Sequence, residues 1–493
     1  MSDTCDNGQK AIMRFTPVLN ILGILLAVLA ATMVLPMIAD IATGSSNWQA
    51  FAISALITGF MGIGLWLAHN GQTDFDIGLR QAFLLTNGAW LLIGIFGALP
   101  FLLSNLDLSF SDALFESVSG ITTTGSTILP VIERASAGIL LWRALLQWLG
   151  GIGIVVMALA VLPMLSVGGM QLFKTESYDS AEKVIPRATQ LAGGIFIAYT
   201  SLTALWAVML TFAGMPSFDA LAHAMTTIAT GGYSTRTLSI AAFDSVMIEV
   251  IIIGGMIIGS LPFAHYVALT RGGWRNLIND PQVRWFLSLM AVVVLVISYH
   301  LMSLQYGTAE ALRLASFNAI SVLTGTGYGT ANFAAWGGSA TTILLICMFI
   351  GGCAGSTTCG VKIFRLQVLA STIKVQIARL LRPHGVVLAY YNNRPVSDSV
   401  MDAVMGFFYL YILCFVILAV FLGMTGLDFQ TALSGAATAI SNVGPGLGEV
   451  IGPAGHFGEL PVLAKWAMCV GMLLGRLELF TVLVMLHPGF WRR

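Results

Sequence analysis

The sequence predicts an all-α polytopic membrane protein: two N-terminal helices, then four repeats of span, short re-entrant segment and span. Three observations predict it. Of 493 residues, 57% are apolar and only 9% are charged, against roughly 25% in a soluble domain. Uncharged runs such as Val18–Ala39, Gln81–Asn105 and Met405–Leu427 approach or exceed the ~20 apolar residues that cross a bilayer as a helix. A Gly/Thr-rich segment recurs four times between such runs. Spanning β-strands would alternate apolar and polar residues, and these runs do not. Length alone would allow about three soluble domains, but the charge is too sparse to solvate them. A formal net charge of zero argues against a nucleic-acid binder. The six cysteines are Cys5, Cys347, Cys353, Cys359, Cys414 and Cys469. They form neither a CxxC pair nor a metal template and read as ordinary thiols.

Ten apolar spans can be drawn, at 17–40, 49–68, 81–104, 140–166, 188–213, 245–269, 285–304, 340–373, 401–423 and 462–486. The first follows Lys10 and Arg14, so a cleaved signal peptide competes with a retained helix. Its apolar stretch exceeds 15 residues, which favours retention. Cytoplasmic loops carry excess Lys and Arg. With the N-terminus inside, the inner segments hold 15 basic residues: Lys10, Arg14, Arg80, Lys174, Lys183, Arg187, Arg271, Arg275, Arg284, Lys374, Arg379, Arg382, Arg394, Arg492 and Arg493. The outer segments hold 5: Arg134, Arg143, Arg236, Arg313 and Lys465. Both termini are therefore expected in the cytoplasm. Twelve acids, among them Asp112, Glu116, Asp219, Glu249, Glu310 and Asp428, fall toward the outer side. A negative vestibule of that kind would concentrate cations.

The organisation that follows is a two-helix segment over 1–75 and repeats over 76–187, 188–280, 281–395 and 396–493. The short segments read SDALFESVSGITTTGST, FDALAHAMTTIATGGYST, AEALRLASFNAISVLTGTGYGT and DFQTALSGAATAISNVGPG. Aligned on Gly125, Gly231, Gly327 and Gly444, the copies lie 106, 96 and 117 residues apart. Each opens with an acid (Asp112, Asp219, Glu310 or Asp428), which suits the positive end of a helix dipole. Each helix is too short to cross a bilayer, so it enters and returns on one side. Non-helical backbone at that depth is tolerated only where protein buries it or it lines a wet cavity. Glycine lets consecutive carbonyls point one way, and four such stretches around one axis could replace the water shell of an alkali cation. Gly and Thr also pack membrane helices, but four equivalent copies favour the cation reading.

The motifs ITTTGST, IATGGYST, LTGTGYGT and SNVGPGLGE resemble the TrkH/TrkG-type potassium-translocating subunits, in the superfamily of KtrB and the plant HKT transporters. The resemblance covers nearly the whole chain. It implies a potassium-channel-like pseudo-tetramer folded from one chain. The potassium filter it implies comprises Thr123, Thr124, Gly125, Thr230, Gly231, Thr326, Gly327, Asn442, Val443 and Gly444. Glycine rather than serine at Gly125 favours potassium over sodium. Val443 and Pro445 depart from a channel signature, which leaves sodium or mixed transport by the same fold as the alternative. The resemblance also implies a homodimer in the lipid of a bacterial inner membrane. It implies a cytosolic TrkA-like nucleotide-binding (NAD/ATP) regulatory subunit, for which loops 167–187, 270–284 and 374–400 are the expected docking surface.

The eighth span is interrupted by GGCAGSTTCG, residues 351–360, followed by Lys362. Such a run breaks a helix at membrane depth, and broken helices mark transport pathways. Gly351, Gly352, Gly355, Ser356, Thr357, Thr358 and Gly360 are the expected intramembrane gate. A close helix–helix contact is the competing reading. Arg476 stands within the last span, where a charge normally faces protein or water. The resemblance places it in the pore below the filter, and a salt bridge to another helix is the other option. Lys362 either adds to that barrier or snorkels to the surface. His223 and His300 are expected to pack or hydrogen-bond rather than relay protons. An intramembrane enzyme would need converging catalytic groups, which the spans lack, and no P-loop is present. The expected cargo is K⁺, with no organic cofactor. Channel-like and H⁺- or Na⁺-coupled flux are both compatible with the sequence.

Overall fold

The computed structural model describes residues 15–69, 78–160, 169, 188–269, 273–392 and 394–491. Helices stand at all ten predicted places. Seven are long and apolar enough to span a bilayer. The basic residues Lys10, Arg14, Lys174, Lys183, Arg187, Arg271, Arg492 and Arg493, the cysteine Cys5, the repeat junctions at 75/76 and 187 and most of loop 167–187 lie outside the described residues.

Three spans are broken, where the sequence led us to expect only the eighth. In the sixth, Val246–Gly259 turns by 97° into Phe263–Leu269. Pro262 lies at the break; it lacks an amide donor and restricts the residue before it. In the tenth, Val462–Arg476 turns by 111° into Leu479–Leu486. There Glu478 has a φ of 61°, and its carboxylate is held 2.6 Å from the Arg365 guanidinium. In the eighth, Gly338–Met348 gives way to the 351–360 loop, and Ile363–Leu381 continues the chain. A two-residue hairpin pairs Tyr390–Tyr391 with Arg394–Pro395 beyond it.

The first and third helices, Thr16–Thr32 and Trp48–His69, cross at glycines. A Cβ on Gly23 would meet the Gly62 carbonyl oxygen at 2.8 Å, and one on Gly62 would meet the Ala27 nitrogen at 2.6 Å. With no hydrophobic drive between helices in lipid, close backbone approach through small residues supplies the attraction.

The four repeats then share one plan. A span leads to a short helix, the chain returns as a non-helical stretch, and a second span follows. The short helices are Phe110–Ile121, Ser217–Ile228, Thr308–Leu323 and Phe429–Ser441. At 12 to 16 residues, they reach only about 18–24 Å. The first and fourth are capped at their starts: the Ser109 and Asp428 side chains accept from the Asp112 and Thr431 amides. Their last turns are buried on every side. One apolar core is built mainly from the second and third repeats. A second joins the N-terminal helices to the first and fourth. Phe60, Phe212 and Tyr409 point outward, as expected of a perimeter facing lipid.

Candidate functional site

Three of the four return stretches adopt one backbone pattern, and the fourth shares its first half. Thr123, Thr230, Gly325 and Asn442 all have φ between 49° and 67°. Two residues on, Gly125, Gly232 and Gly327 have φ of 86°, 77° and 83°. A left-handed residue between right-handed ones turns successive carbonyls toward the same side. Positive φ is unusual for a β-branched residue, so Thr123 and Thr230 are held there against a local cost of about 1–3 kcal/mol. The side-chain hydrogen bonds repeat with the backbone. Ser119, Ser321 and Thr438 each donate to the carbonyl seven residues on, in Ser126, Tyr328 and Pro445, at 2.6, 2.7 and 3.2 Å.

This register corrects the sequence alignment. Gly232, not Gly231, is the equivalent of Gly125 and Gly327; Gly231 matches Thr124 and Thr326. The Gly-Gly doublet left the choice open in the sequence, and backbone handedness decides it. The fourth stretch keeps Asn442 left-handed, but Gly444 is not. A further asymmetry appears in the hydroxyls. Thr122 pairs with Thr124 at 2.7 Å and Thr324 with Thr326 at 2.8 Å, whereas Gly231 and Val443 have no hydroxyl to offer.

The stretches close a ring in chain order. A Cβ on Gly125 would collide with the Gly231 carbonyl oxygen, and one on Gly232 with the Thr326 carbonyl oxygen. One on Gly327 would lie 2.7 Å from the Gly444 nitrogen, and one on Gly444 3.2 Å from the Thr124 carbonyl oxygen. All ten expected filter residues are therefore brought together. Side chains join neighbouring stretches around this ring. The Ser126 hydroxyl donates to the Gly444 carbonyl at 2.7 Å, and the Asn442 amide donates to Thr124 Oγ1 at 3.0 Å. Thr226 and Tyr328 share a 2.5 Å hydroxyl contact.

Behind the ring lies a buried polar shell that sequence reasoning did not assemble. Gln147 Nε2 donates to the Gly231 carbonyl at 2.6 Å, and Gln147 Oε1 accepts from the Tyr233 amide at 3.0 Å. Arg143 and Glu116 are 1% and 0% exposed and pair at 2.8 Å. Arg143 also donates to the Ser234 carbonyl at 2.8 Å and lies 4.0 Å from the Tyr233 ring centroid. The signal available was a polar residue inside an apolar span. His223 uses both ring nitrogens: Nδ1 donates to the Asp219 carbonyl at 2.8 Å, and Nε2 accepts from the Ser234 hydroxyl at 2.9 Å. His300 donates to the Trp336 carbonyl.

Much of the acidity on the side expected to face outward is consumed by pairing. Besides Glu116, the acids Asp112, Asp219 and Glu249 bind Lys465, Arg236 and Arg313 at 2.6, 2.6 and 2.8 Å. Asp40 is buried against Ser136 and the Gly138 amide. Asp107, Glu133, Asp244, Glu310, Asp428, Glu449 and Glu459 remain exposed.

The 351–360 loop packs directly against the base of the ring. Its ends meet: the Gly351 amide donates to the Val361 carbonyl and the Val361 amide to the Phe349 carbonyl, both at 2.9 Å. A Cβ on Gly351 would collide with the Cys359 carbonyl, so glycine permits the closure. Between its ends the chain is buried. The Thr357 hydroxyl donates to the carbonyls of Ile228 and Gly259 at 3.1 and 2.9 Å and lies 3.1 Å from the Thr230 hydroxyl. Cys359 Sγ lies 3.7 Å from Thr123 Oγ1. Arg476 reaches across to it, donating to the carbonyls of Thr357 at 3.1 Å and Gly150 at 2.9 Å and touching Cys359. No carboxylate binds Arg476 among the described residues. Lys362 folds back onto the Thr358 carbonyl and hydroxyl and is buried rather than extended to a surface.

A helical membrane protein whose four short helices bring their return stretches together around one closed ring belongs structurally to the single-chain, pseudo-fourfold transport folds. Comparison with known proteins agrees. Residues 47–489 match the cation transport protein family TrkH. The Trk system potassium uptake protein TrkI of Halomonas elongata is 43% identical, over 98% of both chains. The Trk system potassium uptake protein TrkH of Escherichia coli K12 is 35% identical, over 97% of this chain and all of that one. The crystal structure of the potassium transporter TrkH from Vibrio parahaemolyticus superposes with a TM-score of 0.90 at 35% identity, covering 97% of this chain and 100% of that one. The chain belongs to the TrkH family of cation transport proteins. These relatives are named as transporters, not as enzymes.

Proposed function

We propose that the chain takes up potassium across a bacterial inner membrane, with the ring of return stretches as its selectivity filter. The observation that carries this reading is the closure of the four stretches, in chain order, around Gly125, Gly232, Gly327 and Gly444. Backbone carbonyls so arranged replace the hydration shell of an alkali cation. A membrane negative inside supplies about 2.3 kcal/mol per charge per 100 mV, which drives inward flux without ATP hydrolysis by this chain. Sodium or mixed transport is the second reading. It is favoured by the fourth stretch, where Gly444 lacks the left-handed backbone and Val443 and Pro445 flank it.

The 351–360 loop is the gate in this reading, with Arg476 as a fixed positive charge beneath the filter. Both termini are cytoplasmic, the assembly is a homodimer, and the basic segment containing Lys374, Arg379 and Arg382 contributes to docking a cytosolic nucleotide-binding subunit. The test is tracer rubidium uptake by the purified protein in liposomes. Uptake competed by K⁺ more strongly than by Na⁺ is expected. Gly232→Val, whose side chain would strike the Thr326 carbonyl, is expected to cut uptake roughly tenfold or more, a barrier increase of about 1.4 kcal/mol. Absence of uptake by the wild type, or equal uptake by a folded Gly232→Val variant, refutes the assignment.

A further inference from the structure

Against the loop lies a small cavity of ≈ 30 Å³, more than one water requires. Its wall includes Ser356, Thr358, Cys359, Lys362, Arg476 and Glu478. Two of these are buried cations. Lys362 is 9% exposed and Arg476 2%. Arg476 spends its terminal nitrogens on backbone carbonyls and on Cys359, while its Nε is buried with no partner. The one carboxylate on the wall, Glu478, is bound by a third buried cation, Arg365, at 2.6 Å. Neither Lys362 nor Arg476 pairs with a carboxylate among the described residues. The helix Ile363–Leu381 starts immediately after Lys362, and its N-terminal dipole adds positive potential on the same side. Buried charge without a counter-charge is strongly unfavourable, and such charges are normally paired.

We propose that this cavity binds a small monovalent anion, a halide, held between the Lys362 ammonium and the unpartnered Nε of Arg476. The volume suits a monatomic ion. The Ser356 hydroxyl on the same wall donates to the Cys353 carbonyl at 2.6 Å and pairs with Thr358 Oγ1 at 2.7 Å, so the donors left for the ion are the two cations. The ion adds a bridge from Lys362 to the tenth span beside the direct contacts that Arg476 makes with Thr357 and Cys359. The site stands on the cavity and its charges; its effect on flux additionally rests on the gate reading above.

The test is bromide anomalous diffraction from the full-length protein, with Lys362→Met and Lys362→Arg alongside. An anomalous peak between Lys362 and Arg476 is expected in the wild type and in Lys362→Arg. In Lys362→Met it should fall roughly tenfold in apparent affinity, or about 1.4 kcal/mol. Water alone in the cavity overturns the proposal, and so does an equal peak in Lys362→Met, which would mark an adventitious ion only. If Lys362→Met does not fold, chloride-35 line broadening by the wild type, reversed by bromide, reads the same site; no broadening overturns it. In liposomes, replacing chloride by gluconate should raise basal rubidium flux. A bound bromide with unchanged flux keeps the site and removes the loop from its gating role.

Discussion

At Arg143 and Glu116 two opposite charges meet in a place with almost no water. Such a pair is poor evidence of net stability, because desolvation opposes the Coulomb gain. Removing one partner, however, leaves the other charged and buried, at a cost of about 3–5 kcal/mol. Arg143→Met is therefore expected to lower the thermal unfolding midpoint in detergent sharply. The double variant with Glu116→Gln should recover part of the loss; equal midpoints for single and double variants would show that the pair is not coupled. Arg476 differs in kind. Its partners are carbonyls and a thiol, so no ion pair among the described residues immobilises it. Arg476→Ala should raise cation flux if the guanidinium obstructs the pore. A folded variant with unchanged or reduced flux would count against that role.

At the scale of elements, glycines decide how closely backbones approach. Gly23 and Gly62 bring the first and third helices to within a Cβ of each other. Gly62→Leu should overpack that crossing and cost about 1–3 kcal/mol, read as a lower unfolding midpoint. Rubidium transport per folded molecule should persist, since the crossing lies outside the ring. The 351–360 loop uses glycine differently. Its ends pair only because Gly351 has no side chain to strike the Cys359 carbonyl. Shortening this loop by several residues should raise flux and weaken its dependence on a cytosolic partner. Flux and dependence left unchanged would reduce the loop to a packing element.

For the whole molecule the four repeats are related but unequal. The first and third carry a Thr–Thr hydroxyl pair, the second and fourth do not, and the fourth loses one left-handed glycine. If the ring is the proposed filter, an ion on its axis meets an unequal rather than a fourfold chemistry. Discrimination of K⁺ over Na⁺ should accordingly be weaker than in a symmetric tetrameric channel, measured as the ratio of their inhibition of rubidium uptake. A ratio as steep as such a channel's would show that the asymmetry does not reach the ion.

Membrane residence, helices at the ten predicted places (seven of them long and apolar enough to span a bilayer) and the four short helices were legible in the sequence, because uncharged length and helix-opening acids are local quantities. So was the interruption at 351–360, since Gly, Ser and Thr in a run destabilise helix wherever they occur. The bends at Pro262 and Glu478, the one-residue shift from Gly231 to Gly232, and the partners of Arg143, Gln147 and Arg476 were not. Each is completed by atoms from another part of the chain: the Gly355 carbonyl, which accepts from the Phe263 amide just past Pro262, Arg365 for Glu478, Gln147 for Gly231, Thr357 and Gly150 for Arg476. Local composition specifies where a helix is stable and where it must break. Which buried charge faces which carbonyl is a matter of distance in three dimensions, and only the folded repeats supply it.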